Sequence, residues 1–153
     1  MEKMKVRELI NKILQEHTEV TSYLNEIKRI TNDLSRSIPN ITYHNVFNLL
    51  GKLIYFATVV LSHEKGEEKD LYPILSSMGY ISEVKNFLED HKVIEGYLND
   101  INGLLTRYGN RDIDLIGLIQ NFIVIFNNLY TILNEHKDRE DKLLKAILLK
   151  RLL

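Results

Sequence analysis

His63-Glu64-Lys65-Gly66-Glu67 and His136-Lys137-Asp138-Arg139-Glu140 are the two stretches whose reading decides the fold of this chain. Each sets an imidazole and a carboxylate four residues apart, and on an α-helix residues i and i+4 stack on one face. The sequence around both stretches reads as helix. From Glu2 to about Leu34, Val6, Ile10, Ile13, Leu14, Val20, Leu24, Ile27 and Ile30 recur every three or four positions. Seven glycines and two prolines leave few places to break the chain. Ser35 to Thr42, Ser76 to Tyr80 and Tyr108 to Asp112 supply three turns. The spacing therefore predicts four helices over about 2–34, 43–75, 81–107 and 113–150, with Pro73 kinking or ending the last turn of the second. Long helices joined by short turns stack as neighbours, so residues 1–153 are expected to form a single all-α, antiparallel up-down-up-down four-helix bundle.

The histidines test that topology. Two residues of an antiparallel hairpin share a height when they are equidistant from its turn. The midpoint of His17 and His63 is residue 40, that of His63 and His91 is residue 77, and that of His91 and His136 falls between residues 113 and 114. Each midpoint lies in or at the edge of a predicted turn, so one histidine from each helix reaches a common layer. That layer stands ~20–35 Å from the turns, at about 1.5 Å per residue. The second half of the chain repeats the first at an offset of 74 residues for one histidine and 73 for the other, with little else repeated. Glu67 and Glu140 sit one turn beyond their histidines, displaced toward the same end of the bundle because helices two and four run parallel. Four imidazoles and two carboxylates suffice to hold two metals with the carboxylates between them. With no cysteine the donors are nitrogen and oxygen only, a set that suits iron, zinc, copper or nickel. Too few protein ligands for two octahedra leaves positions for water or a small ligand.

These residues resemble the hemerythrin-like (HHE cation-binding) family. The resemblance is carried by His63-Glu64-Lys65-Gly66-Glu67-Glu68-Lys69-Asp70-Leu71-Tyr72-Pro73, by His91-Lys92, and by His136-Lys137-Asp138-Arg139-Glu140-Asp141, and it extends over essentially the whole chain. It implies two iron ions with an oxo or hydroxo bridge. His17, His63, His91 and His136 would be terminal ligands, and Glu67 and Glu140 bridging carboxylates. It also implies a small oxidant (oxygen, nitric oxide or peroxide) as the partner. The oxygen-carrying members have a fifth histidine four residues after the third-helix one, where this chain has Glu95. Their last carboxylate stands five residues after the final histidine, where this chain has Asp141. The four-His, two-Glu set is closer to the iron-sulfur-cluster repair proteins, whose usual cysteine-bearing N-terminal domain these residues do not contain. Respiratory oxygen carriage is therefore the less favoured use. An iron donor, turnover of peroxide or nitric oxide, and a redox-inert structural metal stand as alternatives.

Glu95 is a candidate seventh ligand or a partner of a ligand. Glu64, about 100° round the helix from His63, and Asp141 are within reach of a metal as additional ligands, but solvent or a place beside a ligand is the favoured expectation for both. His44, some ~28 Å from the layer by helical rise, is expected at the surface. A net charge of −1 gives no reason to expect nucleic acid. No apolar run reaches 18 residues, so no membrane span is expected, and a cytoplasmic location is the default reading. The apolar, basic tail from Lys142 to Leu153 suits a membrane surface or a second subunit in a homodimer, but covering the start of helix one is the favoured role.

Overall fold

The computed structural model describes residues 2–38 and 40–152. Pro39, in the expected first turn, lies outside the described residues, as do the side chains of residues 151–153 at the end of the tail. The chain is an all-α, antiparallel up-down-up-down bundle of α1 (Glu2–Ser37), α2 (Tyr43–Gly66), α3 (Tyr72–Ser77), α4 (Ile81–Gly109) and α5 (Leu115–Leu152). A π-helical turn over Glu67–Leu71 joins α2 to α3, so these form one rod from Tyr43 to Ser77. Around the bundle, α1 packs on α2 and α5, and α4 packs on α5.

The ends of the helices follow local chemistry. Thr42 caps α2 by accepting the Asn45 N–H at 3.3 Å. Asp114 caps α5 through Oδ1, which accepts the Gly117 N–H at 2.7 Å, and so moves the helix start two residues beyond the expected Ile113. Gly79 closes the second turn at φ 98°, a conformation that favours glycine. In the third turn the left-handed residue is Arg111 at φ 62°, not the neighbouring Gly109.

Pro73 does not end its helix, which continues to Ser77. The missing proline N–H and the clash of its ring are accommodated in the preceding turn, where Tyr72 donates its N–H to the Glu67 carbonyl five residues back. At 100° per residue in an α-helix, Tyr72 would stand about 140° round from Glu67. The wider turn brings both to the interior, Glu67 fully buried and Tyr72 nearly so.

Two apolar cores lie either side of a polar layer. One contains Leu24, Ile27, Leu49, Phe56, Phe126 and Leu129; the other contains Ile10, Ile13, Leu71, Leu75, Leu144 and Ile147. The second core shows what the C-terminal tail does, since Leu144 and Ile147 pack against the N-terminal half of α1. By length and composition alone, Tyr43–Ser77 and Leu115–Lys150 are long and apolar enough to cross a membrane, although neither holds an uninterrupted apolar run. In the bundle both point the ionisable groups of the polar layer inward.

Candidate metal centre

The layer between the cores holds His17 from α1, His63 and Glu64 from α2, Glu67 from the π turn, His91 from α4, and His136 and Glu140 from α5. Side-chain donors fall into two groups that share both glutamates: His17, His63, Glu67 and Glu140, and His91, His136, Glu67 and Glu140. Within each group the donor atoms lie within 4.8 Å of one another, the separation expected of atoms facing a common ion. His17 and His63 approach to 4.7 Å between ring centroids, and His91 and His136 to 4.9 Å.

Each of the four layer histidines turns Nε2 inward. His17 Nε2 lies 3.3 Å from Glu67 Oε2 and 3.1 Å from Glu140 Oε1. His63 and His91 Nε2 lie 3.3 and 3.2 Å from Glu67 Oε1, and His136 Nε2 lies 3.3 Å from Glu140 Oε1. Every Nδ1 turns outward to an acid on a neighbouring segment. His17 meets Asp141 at 2.5 Å, His63 meets Glu16 at 2.8 Å, and His136 meets Asp90 at 2.9 Å. His91 stands 3.4 Å from Glu68, an ion-pair distance without a hydrogen bond. Asp90 is itself fixed by Arg139 at 2.6 Å. A carboxylate on Nδ1 orients an imidazole and leaves Nε2 for a metal, the arrangement that recurs around histidine ligands.

This outer ring repeats with the ligands. Glu16 and Asp90 immediately precede His17 and His91, 74 residues apart, and Glu68 and Asp141 immediately follow Glu67 and Glu140, 73 apart. The internal repeat is thus wider than the sequence reading allowed. Acids adjacent to ligands, at the ligands' own offsets, were the available signal for it. Asp141, expected in solvent or beside a ligand, takes the second place by holding His17. Glu95 joins neither donor group and is exposed. Its charge acts on Glu64. His44 is exposed as expected.

Two residues break the two-fold pattern, and both lie on the second rod. Glu64 is 3% exposed rather than solvated, and neither oxygen has a hydrogen-bond partner. Its charged neighbours are His91, Glu95, His136 and Glu67, and burial pushes its carboxyl up to about 8. Tyr72 directs its hydroxyl into the layer, donating to Glu140 Oε2 and lying 3.1 Å from His91 Nε2. Burial and the charges of Glu67 and Glu140 raise its phenol far above the usual value.

Without a metal the layer holds together as an ion cluster. Burial opposes protonation of His17, but Asp141, Glu140 and Glu67 outweigh it and push the imidazole up to about 11. For His136 the same opposition is overcome by Glu140, Glu67 and Asp90, giving about 10. Burial raises Glu67, yet its hydrogen bonds with Glu140, His136, His17 and His63 bring it well below the usual carboxylate range. Those pairings still leave both Glu64 oxygens buried without a hydrogen bond, and Glu140 Oε1 and His136 Nε2 buried with ion-pair contacts but no well-directed hydrogen bond. Acceptors and an imidazole nitrogen short of hydrogen bonds at the focus of a nitrogen–oxygen donor set are what bound cations satisfy, so the residues fit a metal.

Fold and site together define a helical bundle with a buried carboxylate–histidine cation centre. Residues 8–148 match the hemerythrin HHE cation binding domain, and the chain belongs to that family. No match was found among curated proteins or among solved structures.

Proposed function

We propose that this chain is a non-haem di-iron protein that binds or reacts with a small oxidant, oxygen, nitric oxide or peroxide, in sensing, storage or a stress response. The observation that carries the reading is the pair of donor groups, two histidines each, sharing Glu67 and Glu140. Two shared carboxylates and four outward-anchored imidazoles suit a pair of iron ions. When bound, such a pair supplies a reversible change of oxidation state and a coordination position left vacant by the protein.

The two halves of the centre are unequal in this reading. His91 and His136 belong to the fully buried group and have Glu64 beside them, a carboxylate suited to be a further ligand there. His17 and His63 have no such neighbour, and His63 keeps about 10% of its side chain exposed. A surface groove lined by Lys12, Glu16, Val20, Val59, His63 and Gly66 reaches that histidine. In this reading His17, His63, Glu67 and Glu140 would hold the ion that meets a diatomic or peroxide, and the groove runs along the outer side of that half. Glu16, on the wall of the groove, holds His63 Nδ1.

Absorption spectra of the reduced, iron-loaded protein under nitrogen, then air, then nitric oxide test the reading. Distinct visible bands after each gas are expected. A colourless protein that contains zinc and no iron when isolated would overturn it in favour of a structural metal.

A further inference from the structure

Glu67 and Glu140 occupy matching places in the two halves, yet they present their oxygens differently. Glu67 uses both: Oε1 lies 3.3 Å from His63 Nε2 and 3.2 Å from His91 Nε2, and Oε2 lies 3.3 Å from His17 Nε2. Glu140 uses one. Its Oε1 serves both halves, 3.1 Å from His17 Nε2 and 3.3 Å from His136 Nε2, while Oε2 accepts the Tyr72 hydroxyl. The two acids come from the same repeat, so the difference must come from something that does not repeat. At the offset of 73 that relates Glu67 to Glu140, the counterpart of Tyr72 is Lys145, which is exposed.

Tyr72 is well held for this task. Its ring is 3% exposed and packs against Phe87 at 5.9 Å and His91 at 5.5 Å. The π turn that absorbs Pro73 sets its direction. Its hydroxyl has one hydrogen to donate, and Glu140 Oε2 takes it; Glu67 Oε1 stands farther off at 3.5 Å.

We propose that Tyr72 is a positioning residue for the metal pair: by holding Oε2 of Glu140 it limits that carboxylate to a single oxygen, Oε1, toward the metals, while Glu67 offers both oxygens. The inference rests on the two-metal reading above. It implies that the two shared carboxylates are chemically distinct and that removing one hydroxyl makes them alike.

The test compares the iron-loaded protein with its Tyr72→Phe variant, which keeps the ring and loses only the hydrogen bond. A second variant carries a ring-fluorinated tyrosine at position 72, a stronger donor that retains the hydroxyl. Iron content, Mössbauer spectra and the infrared carboxylate stretches of ¹³C-glutamate-labelled protein are read for all three. At two irons per chain, Tyr72→Phe is expected to shift one set of carboxylate stretches and alter the Mössbauer spectrum. The fluorinated variant should move the same stretches in the opposite direction. Unchanged spectra in both variants at full iron loading would overturn the inference alone. So would a phenolate-to-ferric charge-transfer band present in the parent and lost in Tyr72→Phe, because the hydroxyl would then be a ligand rather than a donor. Fewer than two irons in the parent protein would overturn this inference and the two-metal reading together.

Discussion

Replacing Glu64 by methionine should stabilise the metal-free protein and weaken its hold on iron. The structure sets the size of the first effect. Glu64 is buried with no hydrogen-bond partner, and its carboxyl is raised from 4.5 to about 8. A carboxyl raised on folding costs nothing below its unfolded value, and the cost grows with pH until the folded value is passed. At ~1.4 kcal/mol per tenfold, Glu64 costs the metal-free fold roughly 3 kcal/mol at pH 7 and about 0.8 kcal/mol at pH 5. Methionine has a similar length and fills an irregular apolar space without strain. Allowing for imperfect packing, the variant should gain about 2 kcal/mol at pH 7, or ~4–8 °C in melting temperature for a chain of this size. Thermal unfolding in the presence of chelator, at pH 7 and pH 5, measures it. A variant less stable than the parent at pH 7, or a gap that does not narrow at pH 5, would refute the reasoning. In the iron-loaded protein the sign should reverse, because the lost carboxylate no longer offsets the charge of the ions.

The remaining expectations concern protons, the outer ring and the core. His17 and His136 are raised on folding to about 11 and about 10, so their contribution to metal-free stability is full below pH 6.5 and is lost as pH rises through those values. Iron must displace the same protons, so loading should release protons measurable by pH-stat and should tighten with rising pH above 6.5, the opposite slope to metal-free stability. Asp90→Asn removes the charged partner of His136 Nδ1, which Arg139 also holds, and should weaken metal binding about 10–100-fold in a chelator competition without unfolding the protein. Phe126→Ala, in the fully buried core away from the layer, should cost about 3–5 kcal/mol by chemical denaturation and leave the number of metals bound unchanged.

Much of this architecture is legible in the sequence because it depends on periodicity and symmetry. Apolar residues at helical spacing and three short turns give the bundle, and His17, His63, His91 and His136 can meet in one layer only if the helices run antiparallel. Glu16, Asp90 and Glu68 went unread because a charged residue beside a histidine usually faces solvent. Their pairing with Nδ1 depends on a neighbouring helix, which is visible only once the crossings are known. Glu64 was legible as a candidate beside the ligands, but its full burial was not. Its angle from His63 points away from an idealised seam, whereas the surrounding helices enclose both residues. Tyr72 lies five residues past Glu67, off the face of any regular α-helix. The π turn that returns it to the interior arises from Pro73, whose effect a sequence reading assigns to the end of the helix and not to the turn before it.

The central claim is that two ions share one centre built from both halves of the chain. Anaerobic titration of the metal-free protein with ferrous iron, followed by elemental analysis after desalting, tests it most directly. Binding should saturate at two irons per chain in the parent, and Glu67→Ala should retain fewer. A parent that saturates at one iron or binds none, or a Glu67→Ala variant that keeps both, would contradict the account.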